Sequence, residues 1–181
     1  MKKGASKSKG SGFEREISKA LSLWLSENKN DDLFWRTSNS GGRFTSRFKG
    51  GTDTQNQSGD ITSLNSSSEW FINFFSIECK FYIDINIWSI FTNSKMGLIE
   101  FWEQSRNDST RSDKNPILIV KQNFKPILLI TNDFLFDKFE KMSFKPNLII
   151  CNENSNMYVY KFTDFIENVN PIDLKIILEN S

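Results

Sequence analysis

The sequence predicts a mixed α/β fold: a central mixed β-sheet with helices packed on it. Three observations lead there. An amphipathic helix opens the folded part of the chain. A strand dense in aromatic and β-branched residues follows, ending in Glu-Cys-Lys. Beyond it, short apolar strands alternate with short helices, and no internal repeat is visible.

Residues 1–11 (MKKGASKSKGS) are rich in Lys, Gly and Ser and predict a flexible basic arm. Residues 12–181 predict a single domain, with a core over about 12–131 and a C-terminal extension over 132–181. From Gly12 to Glu27, Phe13, Ile17, Ala20, Leu21 and Trp24 recur at helical spacing. Leu33 to Arg36 predicts a short strand. Residues 37–58 are rich in Gly, Ser, Thr, Asn and Arg, a loop long enough to suggest function or disorder. Gly59-Asp60-Ile61-Thr62 opens a short segment, and Asn65 to Ser68 reads as a polar turn. Trp70 to Tyr82 reads as one long strand. Ile87 to Arg106 predicts a helix with a break near Asn93 and Gly97. Ile117–Lys121 and Ile127–Thr131 predict a hairpin. A helix is expected over 133–141, strands over 147–151 and 157–162, and short helices or irregular structure over 163–168 and 172–178.

Composition excludes much chemistry. The chain has no histidine, so Ser-His-Asp and Cys-His machinery and His-ligated zinc are ruled out. Carboxylates, lysine, hydroxyls and a hard, oxygen-preferring metal remain. Cys79 and Cys151 form no metal or disulfide pattern and suggest a reducing, cytoplasmic setting. No apolar run of about 18 residues predicts a membrane span. The formal net charge is only +1, but basic groups cluster. Lys7, Lys9 and Arg15 lie near the N-terminus; Arg36, Arg43, Arg47 and Lys49 share a stretch without acids. Such clusters, with Ser38 and Ser40 between them, suit phosphate contacts that do not read sequence. Phe44 and Phe48 interleave the loop arginines and could stack on unpaired bases or pin the loop to the body.

Side-chain alternation along the Trp70–Tyr82 segment puts Glu78 and Lys80 on one face, roughly 7 Å apart at Cα. Charged groups at the end of an apolar strand need partners. Asp60, upstream, can reach Glu78 if an antiparallel neighbour carries it. Two adjacent carboxylates repel unless a cation lies between them. Mg²⁺ suits such a pair, since it takes one or two carboxylates, waters and a substrate phosphate. At about 100° per residue, Glu14 falls on the buried side of the first helix and Glu16 near its opposite edge. Asp53 is a rival to Asp60 but has no apolar residue after it.

With these residues in view, the chain resembles the PD-(D/E)XK nuclease superfamily, and within it the archaeal and phage-type Holliday junction resolvases. The motifs are Lys9-Gly10-Ser11-Gly12-Phe13-Glu14-Arg15-Glu16-Ile17, Trp35-Arg36-Thr37-Ser38-Asn39-Ser40-Gly41-Gly42-Arg43, Gly59-Asp60-Ile61 and Ile77-Glu78-Cys79-Lys80. The resemblance implies a restriction-endonuclease-like core and Mg²⁺-dependent cleavage of DNA, with Mn²⁺ able to substitute. It implies a branched or four-way-junction substrate and a homodimer. By position, Glu14, Asp60, Glu78 and Lys80 would be the catalytic set. Asp60, Glu78 and the Cys79 main-chain carbonyl would bind metal, with Glu14 doing so through water. Arg36 and Ser38 or Ser40 would meet the phosphate near the scissile bond. Gly59 stands where many members have proline, a change expected to be cheap. The Arg43–Gln57 insertion is longer than in compact resolvases. A duplex-cutting restriction, defence or host-DNA-degrading nuclease, or a non-catalytic DNA-binding protein, would share much of this pattern.

Overall fold

The computed structural model describes residues 3–37, 59–85, 97–151 and 156–181, with the side chains of residues 3–9 left aside. Helix α1 spans Lys3–Leu25. Strands β1 (Phe34–Arg36) and β2 (Ile61–Ser63) form a small antiparallel sheet, Arg36 facing Ile61. Helix α2 (Ser66–Phe74) runs directly into β3 (Phe75–Tyr82). Then come α3 (Leu98–Arg111), β4 (Asn115–Gln122), β5 (Leu128–Thr131), α4 (Asp133–Lys141), β6 (Leu148–Ile150), β7 (Met157–Lys161), α5 (Phe162–Asn168) and α6 (Pro171–Glu179). The main sheet has the order β3-β4-β5-β7-β6. Its first pair is parallel and the others are antiparallel. This is the mixed sheet flanked by helices that the sequence predicts, including the β4–β5 hairpin.

Alternation along the strands sorts the core into two layers. Ile117 and Ile119 of β4 face α1, where Phe13, Ile17, Leu21 and Trp24 lie along one stripe. Leu118 and Val120 face the other way, onto Leu98 and the fully buried Trp102 of α3. The C-terminal extension is integral to this body. Strand β7 lies inside the sheet, Leu174 and Leu178 join the α1-side core, and Trp24 Nε1 donates to Val169 O at 2.7 Å.

Three expectations need correction. Residues 3–11, predicted as a flexible arm, continue α1. Lys and Ala are good helix formers, and each glycine costs a helix only about 1 kcal/mol; here that cost falls on an element whose C-terminal half is docked. The predicted strand Trp70–Tyr82 is a helix up to Phe74 and a strand only from Phe75. Asn65 caps that helix, its side chain accepting from Ser67 N, while Phe71 and Ile72 are buried on its inner side. Finally, the segment carrying Asp60 lies parallel to β3, not antiparallel: Gly59 bridges Ile77 in parallel register. The α2 crossover between β2 and β3 returns the chain in the same direction. Of the predicted Ile87–Arg106 helix, residues 86–96 lie outside the described residues, and the remainder begins at Leu98, directly after Gly97.

Candidate active site

The site is assembled on the edge of β3 that β4 leaves open. Asp60 N donates to Ile77 O at 2.7 Å, and Cys79 N donates to Asp60 Oδ2 at 2.9 Å. The carboxylate of Asp60 is thus fixed against the strand that carries Glu78 and Lys80. A strand residue's N–H and C=O leave on the same side. The Cys79 carbonyl therefore also points to the Asp60 edge.

This approach requires glycine at 59. Its φ is +85°, and a Cβ there would meet Ile77 O at 2.5 Å and Ile77 N at 2.8 Å. Proline, locked near −65°, cannot adopt that backbone. The exchange expected to be cheap is therefore a local necessity. Thr37 fastens the same turn from β1: its N–H donates to Asp60 O at 2.9 Å and its hydroxyl to Gly59 O at 3.0 Å. Nothing in the sequence singles out Thr37, since its role depends on the register of β1 against β2.

Lys80 Nζ lies 2.7 Å from Glu78 Oε1, in a pair whose side chains are only 17% and 13% exposed. Burial pulls the Lys80 pKa down, but the hydrogen bond and charge of Glu78, with the charge of Asp60, outweigh it and leave it raised. Lys80 is therefore an ammonium at neutral pH. Asp60 moves far in the other direction from an ordinary carboxyl. Burial, then the charge of Glu78, outweigh the Cys79 N–H bond, and with a further push from Glu14 the pKa reaches about 7. The Cys79 thiol is also raised, by burial and by the three carboxylates, which makes it a poor nucleophile.

Glu14 is buried on the inner side of α1, as the helical wheel predicts, while exposed Glu16 pairs with Lys121 at 2.6 Å. Glu14 Oε2 lies 2.9 Å from Arg36 Nε. That is close enough for charge pairing, yet Oε2 has no hydrogen-bond partner among the described residues. Arg36 is itself buried, at 9% exposure. Arg36 shares the inward face of β1 with Phe34, and its guanidinium forms a buried charge pair with the protein's own glutamate.

The structure therefore brings together Glu14, Asp60, Glu78, Cys79 and Lys80, and adds Arg36 and Thr37. Arg15 is exposed on α1. The side chains of Lys7 and Lys9, and the whole of Ser38, Ser40, Arg43, Phe44, Arg47, Phe48, Lys49 and Asp53, lie outside the described residues.

Among the described residues, no three His, Cys, Asp or Glu side chains form a ready metal cage. The donors nevertheless fit a hard cation that completes its shell with water and phosphate. Asp60 is a half-buried carboxylate under like-charge repulsion, Glu14 Oε2 is charge-paired but accepts no hydrogen bond among the described residues, and a main-chain carbonyl faces the same edge. No described helix is long and apolar enough to cross a membrane.

The family model described as "Phage putative PDDEXK endonuclease" matches residues 5–176. No curated protein matches the chain, and neither does any solved structure. The match spans all the elements from α1 to most of α6, including every motif that lines the β3 edge. The chain thus belongs to the phage PDDEXK endonuclease family, within the PD-(D/E)XK nuclease superfamily.

Proposed function

We propose that this nuclease is a Mg²⁺-dependent, structure-selective DNA endonuclease of the Holliday junction resolvase type. Its reaction would be hydrolysis of phosphodiester bonds, its catalytic residues Asp60, Glu78 and Lys80 with Glu14 in support, and its working form a homodimer. One observation carries the site assignment: Asp60 is hydrogen-bonded onto the strand that presents the Glu78–Lys80 pair. The junction preference rests on the resemblance of the Lys9–Ile17, Trp35–Arg43 and Ile77–Lys80 motifs to resolvases.

Asp60, Glu78 and the Cys79 carbonyl would hold Mg²⁺, or Mn²⁺ in its place, with Glu14 acting through water. When bound, the cation would polarise the phosphodiester and acidify water. The protein's own part follows from its charges. The Lys80 ammonium neutralises negative charge that builds on the phosphate oxygens, an effect strengthened by its burial. In the resting site it is held by Glu78. The Arg36 guanidinium, charge-paired with buried Glu14, holds that carboxylate in place. Two copies related by a two-fold axis would present two sites to a junction.

The deciding experiment uses labelled four-way junction, nicked duplex and intact duplex, each with Mg²⁺ and with EDTA. Paired symmetric nicks in the junction, dependent on Mg²⁺, are the expected outcome. Equal cutting of intact duplex would point to a restriction, defence or host-DNA-degrading nuclease. Unchanged cutting in EDTA would remove the metal from the account.

A further inference from the structure

One end of the main sheet carries an aromatic rim that neither the core nor the candidate catalytic set uses. Tyr82 continues the face of β3 that bears Glu78 and Lys80, one alternation beyond Lys80 and so about 7 Å further along. It is 41% exposed. One of its faces is covered by Phe101 of α3, stacked at 4.7 Å and 18°.

Tyr82 pairs with Gln122, the last residue of β4. The tight turn after Gln122 closes with Lys125 N donating to Gln122 O, and Phe124 sits at its tip. Phe124 is fully exposed and has φ +60°, a conformation that turns usually assign to Gly or Asn. A large aromatic side chain held there gains nothing from packing. Two solvent-facing aromatics, Tyr82 and Phe124, with Ile83 next after Tyr82 and 58% exposed, thus share the end of the sheet nearest Lys80.

Charged groups also lie near the rim. Among the described residues, Asp84 accepts from the Gln122 amide at 3.0 Å, and Glu16 is paired with Lys121. Lys125 is exposed beside Phe124. An aromatic surface next to cations is the combination that binds unpaired nucleobases while tracking a phosphate backbone.

We infer that Tyr82, backed by Phe101, and Phe124 form a base-stacking rim that takes unpaired nucleobases next to the phosphate held at the Asp60–Glu78–Lys80 edge. This deepens the nuclease reading above and rests on it. It makes the presence of unstacked bases, at a branch or a single-stranded arm, a binding determinant built into this sheet end.

The test uses the full chain with Ca²⁺ in place of Mg²⁺, so that bound DNA stays uncut. Fluorescence anisotropy is read for an intact duplex and for the same duplex with a single-stranded arm carrying 2-aminopurine. Phe124→Ala and Tyr82→Ala should each weaken binding of the armed DNA about 10-fold, in the range of one stacked base. Duplex binding should stay within about twofold. The 2-aminopurine quenching seen with wild type should be lost, and Phe124→Trp should restore it. Phe124 touches no core, so its variant tests the rim without risk to the fold. Unchanged binding of the armed DNA, or equal loss on both DNAs, overturns the inference. So does loss of self-association by sedimentation with DNA binding intact, which would mark the rim as an interface between copies. A wild type that cuts no DNA with Mg²⁺ but quenches 2-aminopurine would instead overturn the catalytic reading and leave the rim standing.

Discussion

Asp60→Asn isolates the electrostatic cost that the candidate site imposes on its own fold. Asparagine keeps the shape, and its Oδ1 can still accept from Cys79 N, a bond of 2.9 Å in the wild type. Only the charge is removed. In the folded chain the Asp60 carboxyl titrates at about 7, against 3.8 for an ordinary aspartate, because burial and then Glu78 and Glu14 disfavour its ionised form. Each tenfold change in proton affinity is worth about 1.4 kcal/mol. The ionised form is therefore up to about 4 kcal/mol less stable in the fold than in the unfolded chain, and about 2 kcal/mol is a fair expectation once water reaching a partly exposed group is allowed for.

The sign follows from proton binding. Between pH 4 and 7 the folded state holds this proton and the unfolded state has released it, so stability falls as pH rises through that window. Below about pH 4 both states are protonated and the penalty is absent. Asp60→Asn should consequently match wild type near pH 4 and exceed it at pH 8 by about 2 kcal/mol. For a chain of this size that is about 4–8 °C in melting temperature. Urea unfolding followed by circular dichroism at pH 4, 6 and 8 reads this directly. Mg²⁺ at pH 8 should raise the wild-type midpoint and move the variant much less. A variant less stable than wild type at pH 8 without metal would refute the reasoning, since it would show Asp60 to be a stabilising charge.

Three further predictions bear on the surrounding scaffold. Gly59→Ala should cost about 1–3 kcal/mol in urea unfolding, from the positive φ and the collision with Ile77 O, and should lower cleavage by displacing Asp60; a neutral result would mean the turn does not approach β3 so closely. Arg36→Leu should cost about 3 kcal/mol by stranding buried Glu14, and the added Glu14→Gln change should recover part of it in a double-mutant cycle; additive losses would show that the two side chains do not interact. Trp24→Phe should cost about 1 kcal/mol through the lost bond to Val169 O; no loss would show that this tie of the C-terminal extension to α1 adds nothing.

Much of the site was legible because it rests on local periodicity. The helical wheel of α1 separates Glu14 from Glu16, and alternation along β3 sets Glu78 and Lys80 on one face. The α2 helix was not legible because Trp70–Phe74 is apolar at both helical and strand spacing. The deciding signal was Asn65, and an Asn-Ser-Ser-Ser run reads equally as a turn or as a helix cap. The pairing of Arg36 with Glu14 was hidden for a different reason. It depends on β1 docking against α1, a tertiary contact that no local pattern around Arg36 reports. The need for glycine at 59 likewise arises from the approach to Ile77, which no local pattern reports.

The central claim, that the Asp60–Glu78–Lys80 edge of β3 performs hydrolysis, is tested most directly by Lys80→Ala. Its single-turnover cleavage of a four-way junction should be measured with Mg²⁺ at saturating enzyme, beside its junction affinity in Ca²⁺. Cleavage should fall by at least about 10²-fold, with affinity within a few-fold of wild type. Cleavage at the wild-type rate would contradict the account and place the chemistry elsewhere.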